Sequence, residues 1–210
     1  MSSSTVTNWL DALEGVTPTA FLLGAVLFVL AMAVAIAFVE PGVVTEFWLE
    51  LLFVAIFVSV AIGLGGFHAT VSPGSERLAG LGALGAVITG VFALLILGMV
   101  VAMNTFGWAP GAFEPLAWTG ALVGIVIGFL AFGAAIWRTA VVRRVIGGLL
   151  VAGGIFLVAY IGNLLLWQHE GVAMVFRLLW GLSLIGVAYS LRTESVPAEQ
   201  ADIEIPREPT

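Results

Sequence analysis

Five polar side chains in the apolar part of this sequence are predicted to lie near one another. They are Glu46, Glu50, Asn163, Glu170 and Arg177. Arg177 stands in the stretch VAMVFRLLWG, which is otherwise apolar. A guanidinium binds carboxylates and other anions through several N–H donors that lie in one plane. These residue types therefore indicate either an internal ion pair or a binding site for a small polar or anionic solute.

Helical geometry predicts that these groups share a depth near one boundary of the apolar region. Glu46 and Glu50 are four residues apart and share a helix face. Arg177 lies about 9 Å beyond Gly171 along a helix, and Glu170 lies about two turns before Arg177 on the same face. Because ionisable groups in apolar spans generally face other helices and pair there, the favoured interpretation is an Arg177–Glu50 pair that docks two helices. The alternatives are a solute vestibule and an arginine that reaches the boundary without a partner.

The remaining ionisable residues predict no catalytic residue, no cofactor site and no metal site, so we do not expect an enzyme. The 210 residues include no cysteine and no lysine, which excludes thiol chemistry and a lysine Schiff base. The aspartates, Asp11 and Asp202, fall in the terminal segments. His68 and His169 are predicted on opposite sides of an apolar layer about 30 Å thick, too far apart to share a metal ion.

The composition is typical of a protein whose solvent is lipid. Hydrophobic residues make up 61% of the chain and charged residues 10%, and the mean hydropathy is +1.16. Soluble domains carry about 25% charged residues. The net charge of -6 and the lack of a basic stripe exclude nucleic acid as a partner. An acidic chain in which arginine replaces lysine also indicates a salt-adapted prokaryote.

Six apolar runs, each about 20 residues or longer, predict an all-α integral membrane protein, a bundle of six transmembrane helices. The runs cover residues 18–39, 46–67, 78–103, 115–137, 145–166 and 171–191. Residues 18–191 thus form one transmembrane domain. Residues 1–17 are expected to form either a short interfacial helix or a frayed tail, and Thr17-Pro18 is a suitable helix start. Residues 192–210 are acidic and proline-containing, which predicts a disordered tail.

The arginines predict the orientation, with both termini cytoplasmic (N-in/C-in) and the chain in the cell membrane. With the N-terminus inside, the inner segments contain six arginines and the outer loops contain none. These arginines are Arg77, Arg138, Arg143, Arg144, Arg192 and Arg207.

Tryptophans support that layout, because their rings favour the headgroup level. Trp48, Trp108 and Trp167 fall at predicted outer ends and Trp137 at an inner end. Trp118 and Trp180 fall deeper, where the alternative is packing inside the bundle.

Repeats of small residues predict close helix contacts. Gly120, Gly124 and Gly128 recur every four residues on the fourth span. The third span carries Gly82, Ala86 and Gly90, and the fifth carries the weaker pair Gly148 and Ala152. Since the third and fourth spans are joined by a short connection, we expect their two repeats to face each other or a nearby helix.

The sequence favours a non-catalytic function, an accessory or structural component of a prokaryotic cell membrane. The alternative is a passive channel or transporter for a small polar or anionic solute, entered from outside near Arg177. The expected partners are the lipid bilayer and, for an accessory component, further copies of the chain or a larger membrane complex.

Overall fold

The chain folds into a bundle of long helices. The computed structural model describes the backbone of residues 3–37, 45–140 and 142–194 and the side chains of residues 15–36, 47–140 and 142–193. These residues form six helices and no strand: α1 (Ser3–Ala37), α2 (Thr45–Val71), α3 (Glu76–Phe106), α4 (Phe113–Thr139), α5 (Arg144–Leu166) and α6 (Glu170–Glu194). Each of the six contains a segment long and apolar enough to cross a membrane. The prediction of an all-α bundle of six long apolar helices is therefore confirmed, and their length and composition suit a multi-pass membrane protein.

Helix α1 begins earlier than its apolar run does. The sequence predicts a helix start at Thr17-Pro18, but Pro18 lies inside a continuous helix from Ser3 to Ala37. Proline lacks the N–H that would bond to the carbonyl four residues earlier. The apolar segment Gly15–Ile36 nevertheless includes this proline and packs against neighbouring helices, which supports the helix on both sides of it. An interfacial position for the first turns stays a prediction. Residues 195–210, which include most of the predicted tail, lie outside the described residues.

Five of the six helices form a ring, and α3 lies outside it. Consecutive helices pack against each other, α1 closes the ring on α6, and α2 also packs against α4. In the described part of the chain, α3 packs only against α2 and α4. The ring is therefore α1, α2, α4, α5 and α6, with α3 covering the groove between α2 and α4.

Helices that follow each other in the chain run antiparallel, so the connections collect at two ends. The "arginine end" holds the α2–α3 and α4–α5 connections, residues 72–75 and 140–143, and the last turn of α6, and five arginines lie at this end. These are Arg77, Arg138, Arg143, Arg144 and Arg192. The "cavity end" holds the α3–α4 and α5–α6 connections, residues 107–112 and 167–169.

Helices α3 and α4 meet backbone to backbone at glycines, as the small-residue repeats predict. A Cβ placed on Gly124 would lie 2.6 Å from the backbone nitrogen of Thr89 and 2.9 Å from the carbonyl oxygen of Gly85. The α4 repeat is confirmed. On α3, Gly82 of the predicted repeat faces α4, where a Cβ would meet the Phe132 ring, but the backbones come closest at Gly85 and Thr89, outside that repeat. A Cβ on Gly90 would meet only Ala61 of α2, at 3.9 Å, because this side of α3 is turned toward α2.

Helices α4 and α5 also cross at glycines. A Cβ on Gly133 would lie 2.8 Å from the carbonyl oxygen of Gly147, and one on Gly147 would lie 2.9 Å from that of Gly133. The predicted contact at Gly148 is wrong, because a Cβ there would have no neighbour within 4 Å. Gly148 is one residue, or about 100° of helix rotation, from the face that meets α4.

Aromatic side chains fill the interior of the ring toward the arginine end. Phe21 contacts Phe67 and Phe129, with ring centroids 5.6 and 6.4 Å apart, and Phe67 contacts Phe132 at 6.0 Å. All four are buried. We refer to these four residues as the phenylalanine cluster. Because aromatic rings at such distances pack efficiently, this half of the bundle has a filled core.

Candidate functional site: a cavity inside the helix ring

The half of the ring toward the cavity end holds a partly open cavity of about 580 Å³. All five ring helices contribute to its lining and α3 does not. Its polar lining residues are Glu50, Glu114, Thr119, Tyr160 and Arg177. The rest of the lining is apolar or tryptophan, so a small number of polar groups stand in an apolar wall.

The polar groups reach the cavity because four helices begin or end at this level. Glu50 is in the second turn of α2 and Glu114 in the first turn of α4. Pro115 follows Glu114 and is tolerated there, since the N–H groups of a first helical turn have no partner within the helix. Tyr160 lies near the end of α5, and Arg177 lies about 10 Å beyond the first residue of α6.

Arg177 makes a cation–π contact at the cavity wall. Its Cζ atom is 5.1 Å from the centroid of the Tyr160 ring, so the contact joins α6 to α5. The Nε atom of Arg177 is buried and has no hydrogen-bond partner among the described residues. A guanidinium is a donor only, and the Tyr160 ring gives it no carboxylate or carbonyl acceptor. This geometry favours an anionic or carbonyl group as a further partner.

Trp180 lies one turn beyond Arg177 on the same helix. Only 3% of Trp180 is exposed, and it packs edge-to-face on Phe28 of α1 with centroids 5.3 Å apart. Gly181 permits this close α1–α6 contact, because any side chain there would collide with the Phe28 ring. The indole Nε1 atom of Trp180 is buried and has no hydrogen-bond partner in the described part of the chain.

The opposite wall is aromatic. Trp118 of α4 packs edge-to-face against Phe53 and Phe57 of α2, with centroids 6.2 and 5.7 Å apart. Trp118 and Trp180 thus pack inside the bundle. In contrast, Trp48, Trp108, Trp137 and Trp167 are exposed.

The structure brings two of the five predicted site residues to this cavity. Glu50 and Arg177 both line it. In the described part of the chain α2 and α6 do not pack against each other, so the predicted docking of these two helices is wrong, whereas an ion pair across the cavity stays a prediction. Glu170 is exposed and is not part of the lining, and the side chain of Glu46 lies outside the described residues.

Asn163 is buried beside the cavity, where it joins α5 to the next connection. Its Nδ2 atom donates to the carbonyl oxygen of His169 at 3.1 Å. Its backbone carbonyl accepts the N–H groups of Trp167 and Gln168 at 3.1 and 2.7 Å. Asn163 does not line the cavity, so the structure gives it a role in the α5–α6 corner.

Glu114 and Tyr160 are lining residues that were not predicted for the site. The signal for Glu114 was its place immediately before the fourth predicted span, at the same boundary as Glu50. Tyr160 carried no signal, because a tyrosine in an apolar run is also typical of ordinary packing.

The histidines lie at opposite ends of the bundle. His68 is in the last turn of α2, with Nδ1 3.2 Å from the carbonyl oxygen of Ala79 at the start of α3. His169 lies in the α5–α6 connection. Within the described ranges, no three histidine or acidic side chains are grouped as metal ligands.

Comparison of the chain with protein-family models, with curated proteins and with solved structures finds no match. The function proposed below therefore rests on the geometry of the cavity.

Proposed function

We propose that this protein binds a small, partly apolar solute in the cavity and carries it across the membrane. The observation behind the proposal is the cavity of about 580 Å³ within the helix ring. Sites for small molecules typically have volumes of about 300–1,000 Å³ and apolar walls with a few well-placed polar groups. The cavity has that size and that lining.

The cavity favours this function over the accessory or structural component that the sequence favours. A helical bundle with a purely structural function gains stability when its interior is filled, because voids forfeit packing contacts. Here the half near the arginine end is filled, whereas the half near the cavity end surrounds a space lined by Glu50, Glu114 and Arg177. A charged lining is costly within a membrane and is typical of solute pathways.

The phenylalanine cluster favours a carrier over a permanently open channel. A passive channel needs a continuous path, and the buried rings of Phe21, Phe67, Phe129 and Phe132 occupy the ring interior beyond the cavity. In this proposal the solute enters from the cavity end, and passage requires the helices around the cluster to move apart.

The proposed orientation places the cavity end outside the cell and both termini in the cytoplasm. The arginine end carries five described arginines, while among the described residues the cavity end carries only Arg177, inside the cavity wall. Under the positive-inside rule the arginine end faces the cytoplasm of a prokaryotic cell. The acidic, lysine-free composition supports a salt-adapted host.

A cavity-filling substitution tests the carrier function. Leu122 lines the cavity on α4, and Leu122→Trp would occupy part of its volume. Leu116, on the same helix, is 61% exposed and does not line the cavity, so Leu116→Trp is the matched control. Uptake of radiolabelled phenylalanine, phenylpropionate and phenylethylamine would be measured in proteoliposomes. We expect uptake of at least one compound above that of empty liposomes, loss of it in Leu122→Trp and retention in Leu116→Trp. Uptake of none of them, or equal uptake by both variants, would reject the carrier function. The accessory or structural component would then be the favoured function.

A further inference from the structure

The cavity brings charges of both signs to one apolar wall, and from this we infer that its solute is a zwitterion. Such a solute carries an ammonium group and a carboxylate on an apolar or aromatic body. The lining contains one guanidinium, from Arg177, and two carboxylates, from Glu50 and Glu114. The inference rests on the proposed function, because it names the solute class for the same cavity.

The carboxylate of the solute is assigned to the α6 wall. Arg177 and Trp180 are three residues apart on α6 and both line the cavity. The Arg177 Nε and Trp180 Nε1 atoms are donors only, and both are buried without a hydrogen-bond partner among the described residues. A buried donor without an acceptor is unfavourable, so this wall lacks an acceptor group.

The guanidinium of Arg177 stands at the wall of the cavity. The Tyr160 ring lies 5.1 Å from its Cζ atom and offers it no carboxylate or carbonyl acceptor, so a solute carboxylate suits the paired N–H donors of arginine. Because Nε is buried in this conformation, the Arg177 side chain has to shift for a carboxylate to reach that atom.

The ammonium group is assigned to the mouth of the cavity, at Glu114. This residue is half-buried in the first turn of α4, nearer the cavity end than Arg177 is. A solute with a carboxylate alone would add a third negative charge to a lining that already has two. A solute with an ammonium group alone would leave the buried Arg177 Nε and Trp180 Nε1 donors without an acceptor. A zwitterion provides a partner for both kinds of group.

The body of the solute is apolar or aromatic. Phe53, Phe57 and Leu157 line the cavity from α2 and α5, and Trp118 packs edge-to-face on both phenylalanines. An aromatic ring gains both burial and edge-to-face contacts in such surroundings. The described side chains thus favour a solute of the aromatic amino-acid type over a small polar ion.

Three compounds of similar size test the inference, because each differs from the next by one charged group. Phenylalanine carries both charges, phenylpropionate lacks the ammonium group and phenylethylamine lacks the carboxylate. Their dissociation constants would be measured by calorimetric titration of the full chain in lipid nanodiscs, with protein-free nanodiscs as the blank. We expect phenylalanine to bind roughly tenfold or more tightly than either analogue, as expected when one charged hydrogen-bonded contact is lost.

Variants assign each charge to its partner. Arg177→Gln should weaken phenylalanine and phenylpropionate but leave phenylethylamine unchanged, and Glu114→Gln should weaken phenylalanine and phenylethylamine only. The matched controls are Arg138→Gln and Glu76→Gln, exposed residues at the arginine end, which should change none of the constants.

The dissociation constants of the wild-type protein test the inference even where a variant fails to fold. Equal binding of all three compounds, or tighter binding of either analogue than of phenylalanine, would overturn the zwitterion and leave the solute-binding function standing. Binding of none of them would reject both.

Discussion

The charge of Arg177 is accommodated by three features of its surroundings. It lines a partly open cavity, it lies toward the cavity end of α6, and it makes a cation–π contact with Tyr160. A charge at the centre of a bilayer costs about 2.5–3.5 kcal/mol on insertion scales, and the cost falls toward the boundary. Arginine also suits this site better than lysine, because a planar guanidinium can stack on a ring while its edge stays available. The side chain can thus be stable in the bundle and still bind a solute.

The predicted Arg177–Glu50 pair can be tested with a single and a double substitution. Arg177→Leu would leave the carboxylate of Glu50 in the cavity without its predicted cation. If the pair exists, the single change should destabilise the protein more than the double change to Leu at both positions, by about 1 kcal/mol or more. Unfolding of the purified protein in detergent measures the difference. Equal or greater damage from the double change would show that the two residues are not coupled.

The α5–α6 corner predicts a purely structural effect at Asn163. Asn163→Leu keeps the branched shape of the side chain but removes one of the two donors to the His169 carbonyl, which also accepts the N–H of Ala173 at 2.9 Å. Because the change also removes the buried Oδ1 atom, which has no partner among the described residues, the cost should be about 1 kcal/mol of folding free energy. Asn104 makes a similar bond, to the carbonyl oxygen of Val100 at 2.8 Å, but its side chain is exposed. Asn104→Leu should therefore change stability by less than about 0.5 kcal/mol.

Solute affinity separates this structural effect from a role at the cavity. Because Asn163 does not line the cavity, Asn163→Leu should leave the dissociation constant of a bound solute unchanged at temperatures where the protein is folded. A change in affinity without a change in stability would place Asn163 in the site instead.

The α3–α4 contact depends on glycines at the positions where the two backbones meet. A Cβ on Gly85 would meet the backbone of Gly124 and Gly128, which cannot move aside as a flexible side chain can. Gly85→Leu should force α3 and α4 apart and cost at least about 2 kcal/mol of folding free energy. Thermal unfolding of the purified protein in detergent would measure this change.

A glycine on the other side of the same helix is the control. A Cβ on Gly80 would have no neighbour within 4 Å, so Gly80→Leu should be neutral or slightly stabilising, since leucine favours helix over glycine. If both leucines had the same effect, close backbone contact would not explain the packing of α3.

The helices were predictable from the sequence because each apolar run is long enough to require a helix in lipid. The helix faces were less predictable. Small residues occur around most of α3, at Gly80, Gly82, Gly85 and Gly90, and their spacing alone does not show which side meets α4. In the structure Gly85 meets α4. Helix α3 must also pack against α2, and the two contacts together determine how α3 is rotated about its own axis.

Only the charged residues of the site were predictable from the sequence. Arg177 and Glu50 stand out in apolar runs, and both line the cavity. Tyr160 and Trp180 do not stand out, because their roles depend on which helices are neighbours across the ring. The cavity itself could not be predicted from the sequence, because it forms where five helices surround an axis that their side chains do not fill.

The whole molecule consists of two unlike halves along the axis of the helix ring. The half toward the arginine end is filled by the phenylalanine cluster, and the half toward the cavity end surrounds the cavity. Helix α3 lies outside this axis and exposes apolar residues such as Leu84, Val87 and Leu94, as expected of a helix that faces lipid. A conformational change around the axis therefore requires the five ring helices to move, while α3 supports α2 and α4 from outside.

The direction of entry depends on which end faces the outside of the cell, and the absence of cysteine makes that measurable. Ala109 is exposed in the α3–α4 connection at the cavity end, and Glu76 is exposed in the first turn of α3 at the arginine end. If the arginine end is cytoplasmic, a membrane-impermeant maleimide should label Ala109→Cys in intact cells and Glu76→Cys only after the cells are permeabilised. The opposite labelling would turn the cavity toward the cytoplasm. Solute would then be collected from inside the cell, and the same cavity would belong to an exporter.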